Sequence, residues 1–282
     1  FYNFHLLLFY NFLFMITQAI IPLAGLGTRM LPLTKAFPKE LWPLGKTSIL
    51  ERVLKECDEA GIKEVFLVIS KRKSIIKKYF DKDHELEKRI LKNKKAIKKI
   101  NILKKYQKKI KFVYQNSAKG LGDAVNACRK KIKSDHFLLI LPDDIIIKKN
   151  CSRELVSIHK ANRSSVVATK MVQKKDVDRY GILGFSKKKK NILDINKFVE
   201  KPKISLAPSK YAIIGRYILS KKIFKFLNKS KKGKDGEVQI TDAMNELLIS
   251  GEKFNGSIFK GSYLDCGTMD GYVESFNKIG NY

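Results

Sequence analysis

Residues 19–44 read AIIPLAGLGTRMLPLTKAFPKELWPL, and the parsing of this stretch decides the fold. Ala19–Ala24 is a short continuous apolar run, the pattern of a strand buried on both faces. Ala24-Gly25-Leu26-Gly27-Thr28-Arg29 completes it. Glycines after a buried strand let backbone N–H groups point at phosphate oxygens without Cβ interference, and Arg29 adds a fixed cation. A dinucleotide fingerprint fails here, because Leu31 and Pro32 stand where a third glycine should open a helix. Gly45-Lys46-Thr47 hints at a Walker loop, but Glu40 occupies its upstream glycine position, which excludes one. Pro22, Pro32, Pro38 and Pro43 stiffen the loop, so Lys39 is held as a second cation rather than left floppy. Two cations on one rigid loop above a strand end suit a triphosphate as charge develops on its leaving group.

Working outward, strand and helix signals alternate. Ser48–Ala60 has a helical stripe of Ile49, Val53, Leu54 and Cys57. Glu64–Ile69 is a second buried strand and Lys73–Phe80 a helix. The lysine-rich His84–Lys109 reads as one helical stretch, followed by a strand at Lys111–Tyr114 and a helix at Leu121–Ile132. His136–Leu141 is another buried strand, ending abruptly in Pro142-Asp143-Asp144. Strands are expected at Ser165–Val172, Tyr180–Phe185, Asp194–Val199 and Ala212–Leu219. Helices are expected at Lys221–Leu227, Ile240–Ile249 and Asp270–Ile279. The alternation predicts an α/β fold, Rossmann-like, with a mixed, mainly parallel central sheet flanked by helices. No internal repeat or Pro/Gly/Ser-rich linker divides residues 15–282, which read as one domain.

The formal net charge of +31 over 282 residues invites a nucleic-acid reading. The excess is nearly all Lys, however, whereas Arg is the residue that reads bases and phosphates bidentately. The runs Lys187–Lys190 and Lys92–Lys111 read as solvated surface, so no specific nucleic-acid partner is expected. The four cysteines, Cys57, Cys128, Cys151 and Cys266, form no C-x-x-C pair and read as reduced, mostly buried thiols of a cytoplasmic protein. Residues 1–14, FYNFHLLLFYNFLF, precede Met15. They lack the basic start of a signal peptide and are too short and polar-interrupted to span a bilayer. They read as an upstream extension, and no membrane association is expected.

Asp143 stands where the buried strand HFLLIL runs out. A carboxylate there points into the crevice in which open α/β sheets bind ligands, and beside phosphates its natural task is to hold Mg²⁺. Asp265, after Tyr263-Leu264, is a second such group, although an Asp at a strand end also serves as a helix cap. Glu200-Lys201 can bracket sugar hydroxyls, one accepting and one donating, or form an exposed ion pair worth little. Gly181 opens a strand where a ligand can approach the backbone closely.

The whole set resembles the bacterial UTP–glucose-1-phosphate uridylyltransferases, within the sugar-1-phosphate nucleotidyltransferases. The resemblance runs from the quoted stretch through KSIIKKYFDKDHELE (73–87), YQNSAKGLGDAV (114–125), LPDDI (141–145) and RYGIL (179–183). It continues in VEKP (199–202), AIIGRY (212–217), GEVQITDA (236–243) and LDCGTMDGY (264–272). The FDxxxELE segment and the KGLGDA loop are similar to the uridylyltransferase branch in particular. The chain departs from the pattern at Gly45-Lys46-Thr47-Ser48, where an acid-Lys-Pro element is usual, and at Trp42, where a smaller aliphatic residue is usual.

The resemblance implies that Arg29 and Lys39 stabilise the triphosphate and the transition state. It implies that Ala24, Gly25, Glu40, Gln115 and Gly120 hold the uracil, with Gly27 in the phosphate turn. Asp143 and Asp265 would bind Mg²⁺, and Gly181, Glu200 and Lys201 the glucose phosphate. The substrates implied are UTP and glucose 1-phosphate, and the assembly a dimer or tetramer. A thymidylyltransferase on the same scaffold and a catalytically silent paralogue are the alternatives.

Overall fold

The apolar run around Ile20 forms β1 (Gln18–Pro22), with Ala19, Ile20 and Ile21 fully buried. The computed structural model describes residues 15–117, 119–228 and 236–280; the extension read at residues 1–14 lies outside them. After β1 the chain makes three single 3₁₀ turns and a small hairpin of β2 (Pro43–Leu44) and β3 (Thr47–Ser48). Then α1 (Ile49–Glu59) starts on a capping box in which Ser48 and Glu51 satisfy each other's backbone N–H. β4 (Glu64–Ile69), α2 (Ile75–Phe80), α3 (His84–Ile90), α4 (Lys94–Gln107) and β5 (Ile110–Tyr114) follow. The helical stretch expected over 84–109 is therefore broken. Asn93 accepts a hydrogen bond from Ala96 N and caps a new helix instead of continuing the old one.

Next come α5 (Leu121–Asn126), β6 (His136–Ile140), β7 (Asp144–Ile147), α6 (Cys151–Asn162) and β8 (Ser165–Met171). The helix expected to Ile132 stops at Asn126. The second half holds β9 (Gly181–Lys189), β10 (Ile192–Glu200), β11 (Tyr211–Ser220), α7 (Ile223–Leu227), α8 (Ile240–Ile249), β12 (Phe254–Ile258), β13 (Ser262–Asp265) and α9 (Met269–Gly280). The helix α6 and the short strands β7, β12 and β13 have no counterpart in the sequence reading.

Nine strands form one mixed sheet in the order β5-β4-β1-β6-β11-β8-β12-β10-β9. The sheet is mixed, as expected, but the expectation that it is mainly parallel and Rossmann-like needs correction. Only β5, β4, β1 and β6 form a parallel block, with β8–β12 the one parallel pair beyond it. The remaining pairings are antiparallel. β9 and β10 are joined through Lys190 and Asn191 alone, and a connection that short forces antiparallel strands. β9 also pairs with β11, Ala212 opposite Ile182, so the strands from β11 round to β9 close on themselves like a barrel. Apolar clusters pack both faces of the sheet, one around Ile21, Leu67 and Leu138, the other around Ile20, Phe66 and Phe137.

One buried ion pair ties the two halves together. Arg216 of β11 is fully buried and donates from Nη2 and Nε to the two oxygens of Glu56 on α1, at 2.8 and 3.2 Å. Ser152 adds a hydroxyl and a backbone N–H to Glu56 Oε1. Burial alone would raise the pKa of Glu56, but Arg216 and Ser152 outweigh it and hold the carboxyl below its ordinary value. Arg216 Nη1 also donates to the carbonyl of Leu141, two residues before Asp143. Removing one partner leaves the other charge buried and unpaired. Arg216→Met is expected to lower unfolding free energy by about 3–5 kcal/mol in urea titrations, with part regained in the Arg216→Met, Glu56→Leu double variant.

Candidate active site

At the carboxyl ends of β1 and β6 lies a cleft of about 580 Å³. Ala24, Gly25, Gly27, Arg29, Lys39, Glu40, Gln115, Gly120 and Asp143 all line it, with Leu26, Leu121, Glu237 and Gly267 among others. The glycine turn is built as a tight corner: Gly27 takes a left-handed conformation, and its carbonyl accepts from Thr34 Oγ1 at 2.8 Å. Met30, fully buried, plugs the turn into the core while Arg29 beside it stays largely exposed. Lys39 is not a surface lysine. Its side chain is 12% exposed and its Nζ donates to Asp143 Oδ2 at 2.8 Å, with Arg29 Nη2 3.9 Å from the same oxygen. Burial works to raise the pKa of Asp143, but the Lys39 charge and hydrogen bond, helped by Arg29, hold it below the ordinary value.

Asp265 reaches the same spot by backbone pairing. β13 runs antiparallel to β7 with Asp265 opposite Asp144, and Cys266 N donates to the carbonyl of Asp143 at 2.8 Å. A Cβ placed on Gly267 would sit 2.9 Å from Asp265 Oδ1 and 3.2 Å from both Asp143 Oδ2 and Arg29 Nη2. Two carboxylates and a guanidinium thus surround one small space. Among the described residues no group of three or more acidic, His or Cys side chains gathers as a complete metal cage. A pair of carboxylates suits a hard divalent cation whose remaining ligands are substrate phosphates and water.

Glu40 lines the cleft with its carboxylate already paired to a lysine. Both of its oxygens accept from Lys73 Nζ, at 2.7 and 2.9 Å, and both residues are buried. Burial lowers the pKa of Lys73 while Glu40 opposes the shift. Gln115 Nε2 donates to Asp123 Oδ2 at 2.7 Å; because Asp123 only accepts, the amide nitrogen is fixed toward it and the carbonyl oxygen is the end left over. The glycine-rich loop is zipped to the 236–243 segment through Gly122 N to Val238 O and Val238 N to Lys119 O, both 2.8 Å. A Cβ on Gly120, whose φ is +94°, would meet Glu237 Cβ at 2.8 Å.

Gly181, Glu200 and Lys201 do not line this cleft. Gly181 and Glu200 are register partners on β9 and β10, and Thr241 donates its hydroxyl to Glu200 Oε2 at 3.0 Å. Burial raises the pKa of Glu200, which Thr241 and Lys201 oppose. Lys201 is exposed and its N–H bonds the carbonyl of Tyr180 at 3.1 Å. This second cluster is joined to the cleft by β11, which meets Ile182 of β9 at Ala212 and Leu141 N at the Gly215 carbonyl.

The sequence reading missed Lys73, Asp123, Arg216, Tyr263 and Asp144. Asp144 accepts from the Tyr263 hydroxyl, and its pKa is pushed up to about 7 by burial and by the neighbouring charge of Asp143. The doubled Asp of LPDD was the available signal for it; Lys73 had none, sitting in a run of exposed cations.

The family model for nucleotidyl transferases matches residues 18–281, and the chain belongs to that family. A Staphylococcus epidermidis protein named UTP–glucose-1-phosphate uridylyltransferase is 36% identical over 266 residues, which cover 92% of this chain and 91% of that protein. A UDP-glucose pyrophosphorylase crystallised with UDP-glucose is 32% identical with a TM-score of 0.83, covering 94% of this chain and 98% of that one. The UTP-bound enzyme of that kind from Acinetobacter baumannii is 30% identical, also at 0.83, with 94% of each chain covered.

Gly215 tests how tightly the acidic cluster is packed. Its φ is +50° and a Cβ there would fall 2.1 Å from Asp144 Oδ2. Gly215→Ala is expected to cost stability through overpacking, about 1–3 kcal/mol, on top of the left-handed strain. Gly251→Ala, also left-handed (φ +97°) but with open space at Cβ, is expected to show the strain alone. Paired urea titrations of the two variants check this.

Proposed function

We propose that this chain is a UTP–glucose-1-phosphate uridylyltransferase, transferring UMP from UTP to glucose 1-phosphate with release of pyrophosphate. The carrying observation is the arrangement of Arg29 and Lys39 against Asp143 and Asp265 around Gly267. The names of the relatives, one of them UTP-bound and one holding UDP-glucose, support the choice of substrates.

On this reading a phosphate oxygen of glucose 1-phosphate attacks the α-phosphorus of UTP, and the bond to the bridging oxygen of pyrophosphate breaks in line. Such a step needs alignment and charge neutralisation more than acid–base chemistry. Arg29 and Lys39 take up charge on the leaving pyrophosphate. The turn at Gly25 and Gly27 brings backbone N–H groups to the phosphates, and Ala24 and Gly120 form the floor under the base. Gln115, its nitrogen held by Asp123, accepts from the uracil N3–H. Glu40 serves by fixing Lys73 and the wall it belongs to. Gly181, Glu200 and Lys201 receive the sugar phosphate.

Asp143 and Asp265 would hold Mg²⁺, which when bound neutralises phosphate charge and aligns the triphosphate. The proposal includes a cytoplasmic homo-oligomer, dimer or tetramer. No described helix is long and apolar enough to cross a membrane.

Purified protein given UTP, glucose 1-phosphate and Mg²⁺ is expected to form UDP-glucose and pyrophosphate, read by a coupled pyrophosphate assay. A strong preference for dTTP would sink the choice of base. Asp143→Ala is expected to cut kcat by at least about 10²-fold, the scale of losing a group that organises transition-state charge. Circular dichroism should report an intact fold. Near-normal turnover in that variant would remove Asp143 from the mechanism.

A further inference from the structure

Lys170, near the end of β8, is half-buried, and its ammonium has an unusual setting. It lies 3.5 Å from the centroid of the Tyr263 ring and 5.6 Å from that of Tyr180. Tyr263 stands two residues before Asp265 and gives its hydroxyl to Asp144, so one wall of this setting belongs to the acidic cluster. Tyr180 immediately precedes Gly181 and takes the Lys201 N–H on its carbonyl, so the other wall belongs to the second cluster. Lys170 thus stands between the two halves of the site, in the field of Asp144 and Asp265. Among the described residues no carboxylate forms an ion pair with its ammonium and no acceptor takes a hydrogen bond from it.

An ammonium carries three N–H donors, and an aromatic face satisfies it on one side only. A half-buried lysine that is neither ion-paired nor fully hydrated retains donors for an anion. The phosphates of the nucleotide already have Arg29 and Lys39, and Lys170 lines no part of that cleft. The acceptor substrate brings a second dianionic phosphate, and on its side the sequence reading supplied only one cation, the exposed Lys201.

We propose that Lys170 is a second binding cation for the phosphate of the sugar 1-phosphate, acting with Lys201 from the other side of Tyr180. The proposal rests on the uridylyltransferase reading. The tyrosine rings hold the ammonium in place before the substrate arrives, so little side-chain freedom is lost on binding. The same contact gives Lys170 a packing role on Tyr263, which the test must separate from phosphate binding.

Lys170→Met keeps most of the aliphatic stem and removes the charge. Initial rates at saturating UTP are expected to show the KM for glucose 1-phosphate raised about 10- to 100-fold, the worth of a hydrogen bond to a charged group. The KM for UTP should stay within about twofold. In the reverse direction the KM for UDP-glucose should rise and that for pyrophosphate should not. Lys170→Arg, which keeps the charge, should recover most of the lost affinity, and the melting temperatures of both variants should match the unaltered enzyme. An unchanged KM for glucose 1-phosphate in Lys170→Met overturns the proposal. So does a parallel rise for UTP and glucose 1-phosphate, which marks a packing role alone. The unaltered enzyme is assayed alongside: its failure to make UDP-glucose would overturn the parent reading instead.

Discussion

Three carboxylates, Asp143, Asp144 and Asp265, are brought to one end of the sheet by the pairing of β7 with β13, and like charges so placed repel. The surrounding structure reads as the means of holding them there. Lys39 and Arg29 face Asp143, the Tyr263 hydroxyl faces Asp144, and Arg216 lies buried behind the strand end that carries both. Each partner comes from a different part of the chain: the loop after β1, the β13 strand, and β11. The acidic cluster therefore exists only when the parallel block and the antiparallel half are docked, which is what the Arg216–Glu56 pair secures.

The loop cations gain a second property from this arrangement. Lys39 is already aimed by Asp143, and the aim is fixed by a 3₁₀ turn between Pro38 and Trp42. Preorganisation of this kind is how a site lowers a barrier without reorganising during the reaction. Glu40, its neighbour, looks inward to Lys73 and anchors the turn from beneath. Adjacent residues in PKE thus both border the cleft, one paired to Asp143 and the other to Lys73.

Much of this was legible in the chain. The strands at 19–24, 64–69 and 136–141 announced themselves as unbroken apolar runs, and the carboxylate after HFLLIL stands where that pattern said it would. The second half was harder, because direction is not written in hydrophobicity: β11 is as apolar as a parallel strand, and only the two-residue turn at Lys190-Asn191 reveals the reversal between β9 and β10. β7 and β13 are four residues each, too short for a period to show, yet they bring the two aspartates together. Long-range partners such as Lys73 for Glu40 left no local trace among so many lysines. Gly181, Glu200 and Lys201 came out as a cluster of their own, separate from the cleft at the ends of β1 and β6.

Trp42, conspicuous in the sequence, meets the ring of Tyr272 edge-on at 5.2 Å, and the Tyr272 hydroxyl donates to the carbonyl of Pro43. The loop bearing Arg29 and Lys39, laid down within the first forty residues, is therefore braced by the last helix of the chain. During synthesis Arg29 and Lys39 leave the ribosome before Asp143 does, and long before the helix that braces their loop. A product terminated before Met269 would carry the glycine turn and its two cations without that brace.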